Sequence, residues 1–299
     1  MMQFSTFGQM NIDLIFDGIT SLPEQGEEVF ASNFDLQLGG GPMVCPIILN
    51  QLGVKSQLGT FLGQDMLSDL ARNLLSKMNF NDYTNFNAIE KNPVVVTSVL
   101  SLEKDRSFIC YNENVREDQI TDEIVYDFLK DSKVVFAPIG KLNVLRRLKQ
   151  RGIKIIFDTG WDDDLHIDMF KEMLKYVDVF TPNHKEAMKM TDTSTIEEAV
   201  IELAKYVKYP VISNGDKGCI TYINNEIIRV EMPVDFEVVD TTGAGDNFLT
   251  GIAYGLIHEK DIITCMKYGN IFGGYSTQGL GCYKSSITLE AIDDLMALY

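Results

Sequence analysis

Histidine, tryptophan, paired cysteine and basic residues are all in short supply in this chain, and each shortage excludes something. The three histidines, His166, His184 and His258, show no metal-ligand spacing, which argues against a zinc centre. The five cysteines are odd in number, scattered and free of any CxxC pair. They read as reduced, mostly buried thiols of a cytoplasmic protein rather than as a disulfide framework. Lys and Arg number 26 against 43 Asp and Glu, a formal net charge of -17. That balance excludes a nucleic-acid partner, which would need clustered cations, and is read as a solubility device. It does not exclude a nucleotide, because one local anion hole outweighs distant, salt-screened surface charge. No basic flank followed by a long apolar run is present, so neither a signal peptide nor a membrane span is expected. Nor is there a GxxxxGK[ST] run, so a P-loop is not supported.

What remains is an ordinary globular composition over 299 residues. From about residue 120 short apolar runs alternate with helical patterns. Lys133–Ala137, Ile153–Asp158, Val177–Phe180 and Val211–Asn214 read as buried strands, and Leu142, Leu145 and Leu148 lie along a helix between the first two. Such alternation argues for βαβ units and a mostly parallel central sheet flanked by helices. Ligands then sit beyond the carboxyl ends of the strands, where Asp158, Asn183 and Asn214 would converge. Two stretches break the pattern, near 11–37 and 93–112. The second reads as a hairpin turning at Glu103-Lys104-Asp105-Arg106. No repeat, low-complexity tract or linker divides the chain, so residues 1–299 are expected to form one α/β domain.

The most informative segment is Val239-Asp240-Thr241-Thr242-Gly243-Ala244-Gly245-Asp246-Asn247-Phe248. Its small residues let backbone N–H groups face an anion closely. Phe248, Leu249, Ile252, Ala253, Leu256 and Ile257 follow at helical spacing. A helix start carries unpaired donors and partial positive charge, which suits a phosphoryl group. Asp246 is a carboxylate beside that anion site, so it either handles a proton or merely caps the helix.

This segment resembles, along its whole length, the C-terminal signature of the ribokinase-like (PfkB) carbohydrate kinases. The resemblance implies a ribokinase-like fold with a small β lid built from the segments near 11–37 and 93–112. It implies that Asp246 deprotonates the hydroxyl attacking the γ-phosphate of ATP, with Gly243, Ala244 and Gly245 supplying the anion hole. Phosphoryl transfer needs in-line positioning, charge neutralisation and a nearby base, which fits.

Other motifs fall in the family's order. Leu38-Gly39-Gly40-Gly41-Pro42 runs into an apolar helix, with Pro42 suited to its first turn. It reads as a plain helix start by itself and resembles the family's glycine pair under the sugar, which makes Gly39 and Gly40 substrate contacts. Where many members carry a sugar-binding Asn this chain has Val44, which puts the sugar's identity in question. Asn11-Ile12-Asp13 is a turn former alone. The resemblance makes Asp13, with Asn11, an acceptor for substrate hydroxyls, a device that rejects analogues lacking them.

Asn183-His184-Lys185-Glu186 matches a capping box and also the family's Asn-x-x-Glu, in which Glu186 helps hold Mg²⁺, commonly through water. Both readings are compatible. Ser213 and Gly215 resemble the turn at the ATP phosphates and ribose, and Gly269-Asn270 and Ser276–Gly281 fall where the family wraps adenine. Asp240 and Thr242 match positions that ligate a monovalent cation such as K⁺ in ribokinases. Asp158 resembles a residue near the phosphates. Trp161, the sole tryptophan, is expected to be a packing residue rather than a wall of the site. Arg106 resembles a position near substrate or phosphate, yet reads more simply as a solvated hairpin turn. The expectation is an ATP- and Mg²⁺-dependent cytoplasmic kinase of a small sugar, homodimeric through its lid. A nucleoside kinase and a catalytically silent sugar or nucleotide sensor are the rivals.

Overall fold

The computed structural model describes residues 2–86, 93–102, 106–112 and 120–299. Among them two sheets form. The larger has nine strands in the order β13-β12-β11-β10-β9-β8-β1-β4-β5. Its centre is parallel: β1 (Met2–Phe7) lies between β4 (Ser56–Thr60) and β8 (Ser132–Phe136). Beyond β8 follow β9 (Lys154–Phe157), β10 (Val179–Phe180) and β11 (Tyr209–Ser213). On the far edge β12 (Cys219–Ile223) and β13 (Glu226–Val230) run antiparallel, and on the other edge β5 (Tyr83–Asn85) pairs with β4. The apolar runs of the central strands are buried on both faces because successive side chains enter opposite cores. Val135, Ile155, Phe157 and Ile212 pack with α3 (Asp122–Leu129), α4 (Leu142–Gln150), α6 (His184–Thr191) and α7 (Ile196–Leu203). Val134, Ile156 and Val211 pack instead with α1 (Val44–Gln51), α8 (Ala244–Ile257) and α9 (Ile262–Ser276).

Helices α8 and α9 lie unusually close because glycines line their contact. A Cβ on Gly251 would stand 2.3 Å from the Tyr268 carbonyl oxygen, so no larger residue fits. This closeness fixes the start of α8 against the end of α9, where the Thr277 carbonyl accepts from Val239 N (2.8 Å) and Asp240 N (3.0 Å).

The second sheet has four strands in the order β3-β2-β6-β7. It contains β2 (Asn11–Asp17), β3 (Asn33–Leu38), β6 (Val95–Ser101) and β7 (Arg106–Tyr111). Pairs β2–β3 and β6–β7 are antiparallel, and β2–β6 is parallel. The expected hairpin is therefore β6–β7, though residues 103–105 of its turn lie outside the described residues. Register decides which side chains share a face: Asp13 pairs with Gln37 and Thr97, and Arg106 with Ser101. With the two-residue alternation of strands, Asn11, Asp13, Gln37, Thr97 and Arg106 all face the larger sheet's carboxyl edge.

Candidate active site

Four elements meet beyond the carboxyl ends of the central strands. The first is the glycine turn ahead of α8. Gly243 takes the left-handed conformation (φ 72°) as the N-cap of α8. A Cβ there would lie 2.4 Å from the Cys282 sulfur. The Ala244 amide is turned toward the Thr241 carbonyl (3.2 Å), while Gly245 is exposed in the first turn, where amides have no intrahelical acceptor. Asp246 sits three residues inside the cap and makes no capping bond, so the cap reading of this carboxylate is overturned. Its Oδ1 accepts instead from the Gly41 amide across the site at 3.0 Å.

That bond joins the second loop, Gly39-Gly40-Gly41. A Cβ on Gly40 would meet Asp246 Oδ2 at 2.6 Å, and one on Gly39 would meet Asp13 Oδ1 at 2.4 Å and Asn11 Nδ2 at 2.5 Å. Both glycines are thus needed for close approach. Pro42 does not enter the helix: α1 begins at Val44, and Pro42 packs where a Cβ of Gly8 would lie. The proline of the first turn is Pro46, whose missing amide proton costs nothing there. Val44 is fully buried in an apolar cluster with Met10, Ile12 and Leu38.

The third element is the inner face of the small sheet. Thr97 donates to Asn11 Oδ1 (3.2 Å), and Asn11 Nδ2 donates to Asp13 Oδ1 (3.0 Å). This relay leaves Asp13 oriented but buried, and burial raises its pKa to about 6, opposed by the Asn11 bond and helped by the charge of Asp240. Burial likewise pushes Asp246 up to about 7, with Asp13 and Glu186 adding repulsion and the Gly41 bond opposing.

The fourth element is the pair of strand ends after β9 and β10. Asn183 and Glu186 form the expected capping box: Asn183 Oδ1 accepts from Lys185 N and Glu186 N (2.9 and 3.0 Å), and Glu186 Oε2 from Asn183 N (2.9 Å). Burial raises Glu186, and it raises Asp158 well above the carboxylate range, with Glu186 and Asp246 contributing repulsion. Asp158, Glu186 and Asp246 therefore form one mutually repelling group. A cavity of about 280 Å³ opens beside it, lined by Ser213, Gly215, Thr241, Ala244, Phe248 and Asn270 among others. Asn270 reaches this wall with its Nδ2 already donating to the Val230 (2.9 Å) and Glu231 (3.1 Å) carbonyls and to the Tyr299 hydroxyl (3.2 Å).

Besides Pro42, two sequence expectations fail. Trp161 is 59% exposed, bonded to Asp163 and near the Lys189 ammonium, rather than packed inside. Arg106 is no solvated turn: its side chain is 19% exposed and its guanidinium bonds Asp240 Oδ1 (3.2 Å) and the Thr242 hydroxyl. The signal for Arg106 was only positional, an arginine at the start of a lid strand. Tyr283 went unnoticed, because nothing local marks a buried tyrosine whose hydroxyl donates to the Gly39 carbonyl (3.1 Å).

Asn11, Asp13, Gly40, Gly41 and Asp246 thus meet at one edge of the larger sheet. Known proteins show where the chain belongs. A protein of Pyrococcus horikoshii described as a candidate sugar kinase is 27% identical, over 94% of this chain and 92% of its own length. The ribokinase of Thermotoga maritima superposes with a TM-score of 0.80 at 22% identity, covering 99% of this chain and all of that one. The nucleoside kinase of Methanocaldococcus jannaschii does so at 0.76 and 18%, with 99% of both chains covered. The family described as pfkB family carbohydrate kinase matches residues 1–289, and the chain belongs to it and is a phosphotransferase.

Proposed function

We propose that this chain is a single-domain kinase that transfers the γ-phosphate of ATP to a hydroxyl of a small sugar, with Asp246 as the base. The observation that carries this reading is the meeting of Asp246, Gly40–Gly41 and Asp13 around one gap. Asp246 is held between the anion-binding turn and the substrate floor. Its affinity for a proton, near 7, suits a group that must take one at neutral pH. Asp13, steered by Asn11 and Thr97, accepts from the sugar hydroxyls above Gly39 and Gly40. Gly243 and Gly245, with Ala244 shaping the turn, face the transferring phosphoryl group. The cavity lined by Ser213, Gly215, Phe248 and Asn270 takes the nucleotide, Asn270 shaping its wall through the β13 end rather than by a free amide.

The donor set suits Mg²⁺. Asp158 and Glu186 repel each other and offer only carboxylate oxygens, the donors Mg²⁺ prefers, but among the described residues no three His, Cys, Asp or Glu are grouped to hold an ion alone, so phosphate oxygens and water would complete its shell. Glu186, with Asn183 fixing its helix, would hold the ion, which supplies charge neutralisation at the phosphates. Among the described residues no helix is long and apolar enough to cross a membrane.

A nucleoside acceptor is the second reading, favoured by the exposed Phe108 on the inner face of the small sheet, the face that carries Asp13; Val44, fully buried, lines no floor. With either acceptor, we propose that the chain forms a homodimer through its lid. Phe34 (54% exposed), Ile109 (66%) and Tyr111 (57%) share the outer face of the small sheet, on its two edge strands. Light scattering that finds a monomer removes the dimer. The function itself is tested by ADP release with Mg²⁺-ATP across pentoses, hexoses, keto-acid sugars and nucleosides. One strong sugar responder supports the reading, turnover of nucleosides alone replaces it with the second, and ATP binding without turnover on any acceptor leaves the silent sensor.

A further inference from the structure

The contact between Arg106 and Asp240 does not fit a monovalent-cation site. Asp240 is 7% exposed and has both carboxylate oxygens engaged. Its Oδ1 accepts from Thr242 N (2.9 Å), the Thr242 hydroxyl (2.8 Å) and the Arg106 guanidinium (3.2 Å), and its Oδ2 accepts from Gly281 N (2.7 Å). A carboxylate offers about two lone-pair directions per oxygen, and here three donors crowd Oδ1 while one takes Oδ2. An alkali ion could bind only by expelling the guanidinium or by sharing one carboxylate with a second positive charge. Thr242, the other expected ligand, is also taken, its hydroxyl accepting from Arg106 while donating to Asp240.

The position of this pair matters. Asp240 stands three residues before the Gly243 cap, and its amide and that of Val239 are tied to Thr277. It therefore clamps the anion-binding turn to the segment 277–283. Arg106 opens lid strand β7, on the face that also carries Asp13 and Thr97. A buried carboxylate deprived of its partner charge is costly, so the turn and the lid are energetically joined at this point.

We propose that Arg106 is the resident cation of the phosphate turn: its guanidinium takes up Asp240 and Thr242 in place of a monovalent ion and ties the setting of the anion hole to the lid. Arg106 is in this role a positioning residue, acting on the phosphoryl group through the Asp240 turn. The planar fork of a guanidinium can bond the carboxylate and the hydroxyl together, which an ammonium does less well. The inference rests on reading residues 240–246 as the phosphoryl site.

The test uses the full chain at fixed ionic strength with K⁺, Na⁺ or tetramethylammonium as the only monovalent cation. The wild type is expected to have the same kcat and the same melting temperature in all three. Arg106→Ala is expected to lose about tenfold or more in kcat, with part of the loss restored by millimolar guanidinium and not by tetramethylammonium. Arg106→Lys should fall between. A wild type whose kcat rises fivefold or more in K⁺ (roughly 1 kcal/mol), or whose melting temperature rises in K⁺ alone, overturns the proposal. So does an Arg106→Ala enzyme with unchanged kcat. If that variant fails to fold, the wild-type cation exchange and Arg106→Lys decide. If no acceptor releases ADP, the kinase reading has failed separately, and the melting series still decides whether Arg106 excludes K⁺.

Discussion

The two halves of the proposed site are built by different means. The proposed phosphoryl half is local: a left-handed glycine, a helix start and a carboxylate three residues later, all within Asp240–Asp246. Its donors are backbone amides, which any sequence supplies once the turn is made. The acceptor half is assembled from side chains far apart in the chain. Asn11, Asp13 and Thr97 come from two strands, Gly39–Gly40 from a loop, and the Gly39 carbonyl is held by Tyr283. One half is written as a motif and the other as a strand register. The first tolerates little change within its own segment, and the second is exposed to change at many distant positions.

The comparison predicts where the largest losses lie. Asp246→Asn keeps shape and one acceptor for the Gly41 amide but removes the proton acceptor. We expect kcat to fall roughly 10²–10⁴-fold with ATP binding retained, measured by ADP release and by nucleotide titration. Near-normal turnover would make Asp246 a structural bridge between the halves and nothing more. Next comes Gly40→Ala, whose Cβ would lie 2.6 Å from Asp246 Oδ2. The obstacle is the end of a side chain, so the fold should survive while Asp246 moves off line, lowering kcat by roughly 10²-fold. In contrast Gly243→Ala meets both a φ of 72° and the Cys282 side chain. It should cost roughly 1–3 kcal/mol of stability, read as a lowered urea midpoint.

The same division explains what could be read from the chain. Strands β8 to β11 were legible because each is a short apolar run buried on both faces between helical patterns. The Asn183–Glu186 box and the Gly243 turn were legible because their partners lie within four residues. Arg106 was misread because its partners are more than 130 residues away, beyond any local pattern. Trp161 was misread because burial of an aromatic is a statistical habit, and a loop after β9 need not follow it. For the same reason Pro42 was placed one turn too far into α1, although Pro46 takes that role. Nothing in the sequence says which of two nearby prolines the helix will accept.

The acceptor half should respond more mildly and in another parameter. Thr97→Val keeps volume but removes the hydroxyl that fixes Asn11 Oδ1. Asn11 can then rotate, and Asp13 loses its steering bond. We expect KM for the acceptor to rise about 3–10-fold with kcat and KM for ATP little changed, since roughly one hydrogen bond is lost far from the phosphates. A fall in kcat instead would mean that the two halves are coupled more tightly than the geometry implies.

The smallest expected effect concerns stability, and it separates the charge of Asp246 from its shape. Asp246 is raised from 3.8 to about 7 in the folded chain, first by burial and then by Asp13 and Glu186. A raised carboxylate favours folding in its protonated form. That contribution is complete below the unfolded value, 3.8, and is lost as pH climbs through about 7. If Asp246 is the base as proposed, the same titration makes it unavailable in acid, so kcat should fall toward tenfold per unit below about pH 7. Asp246→Asn abolishes the ionisation while keeping an oxygen for Gly41. Its melting temperature, without ligands, should match the wild type only below about pH 3.8, and its advantage should widen by roughly 4 °C between pH 5 and pH 8. An unchanged difference across that range would mean that Asp246 ionises like a surface carboxylate, and the proposed proton-handling role would then need another group of the repelling cluster, such as the buried Asp158.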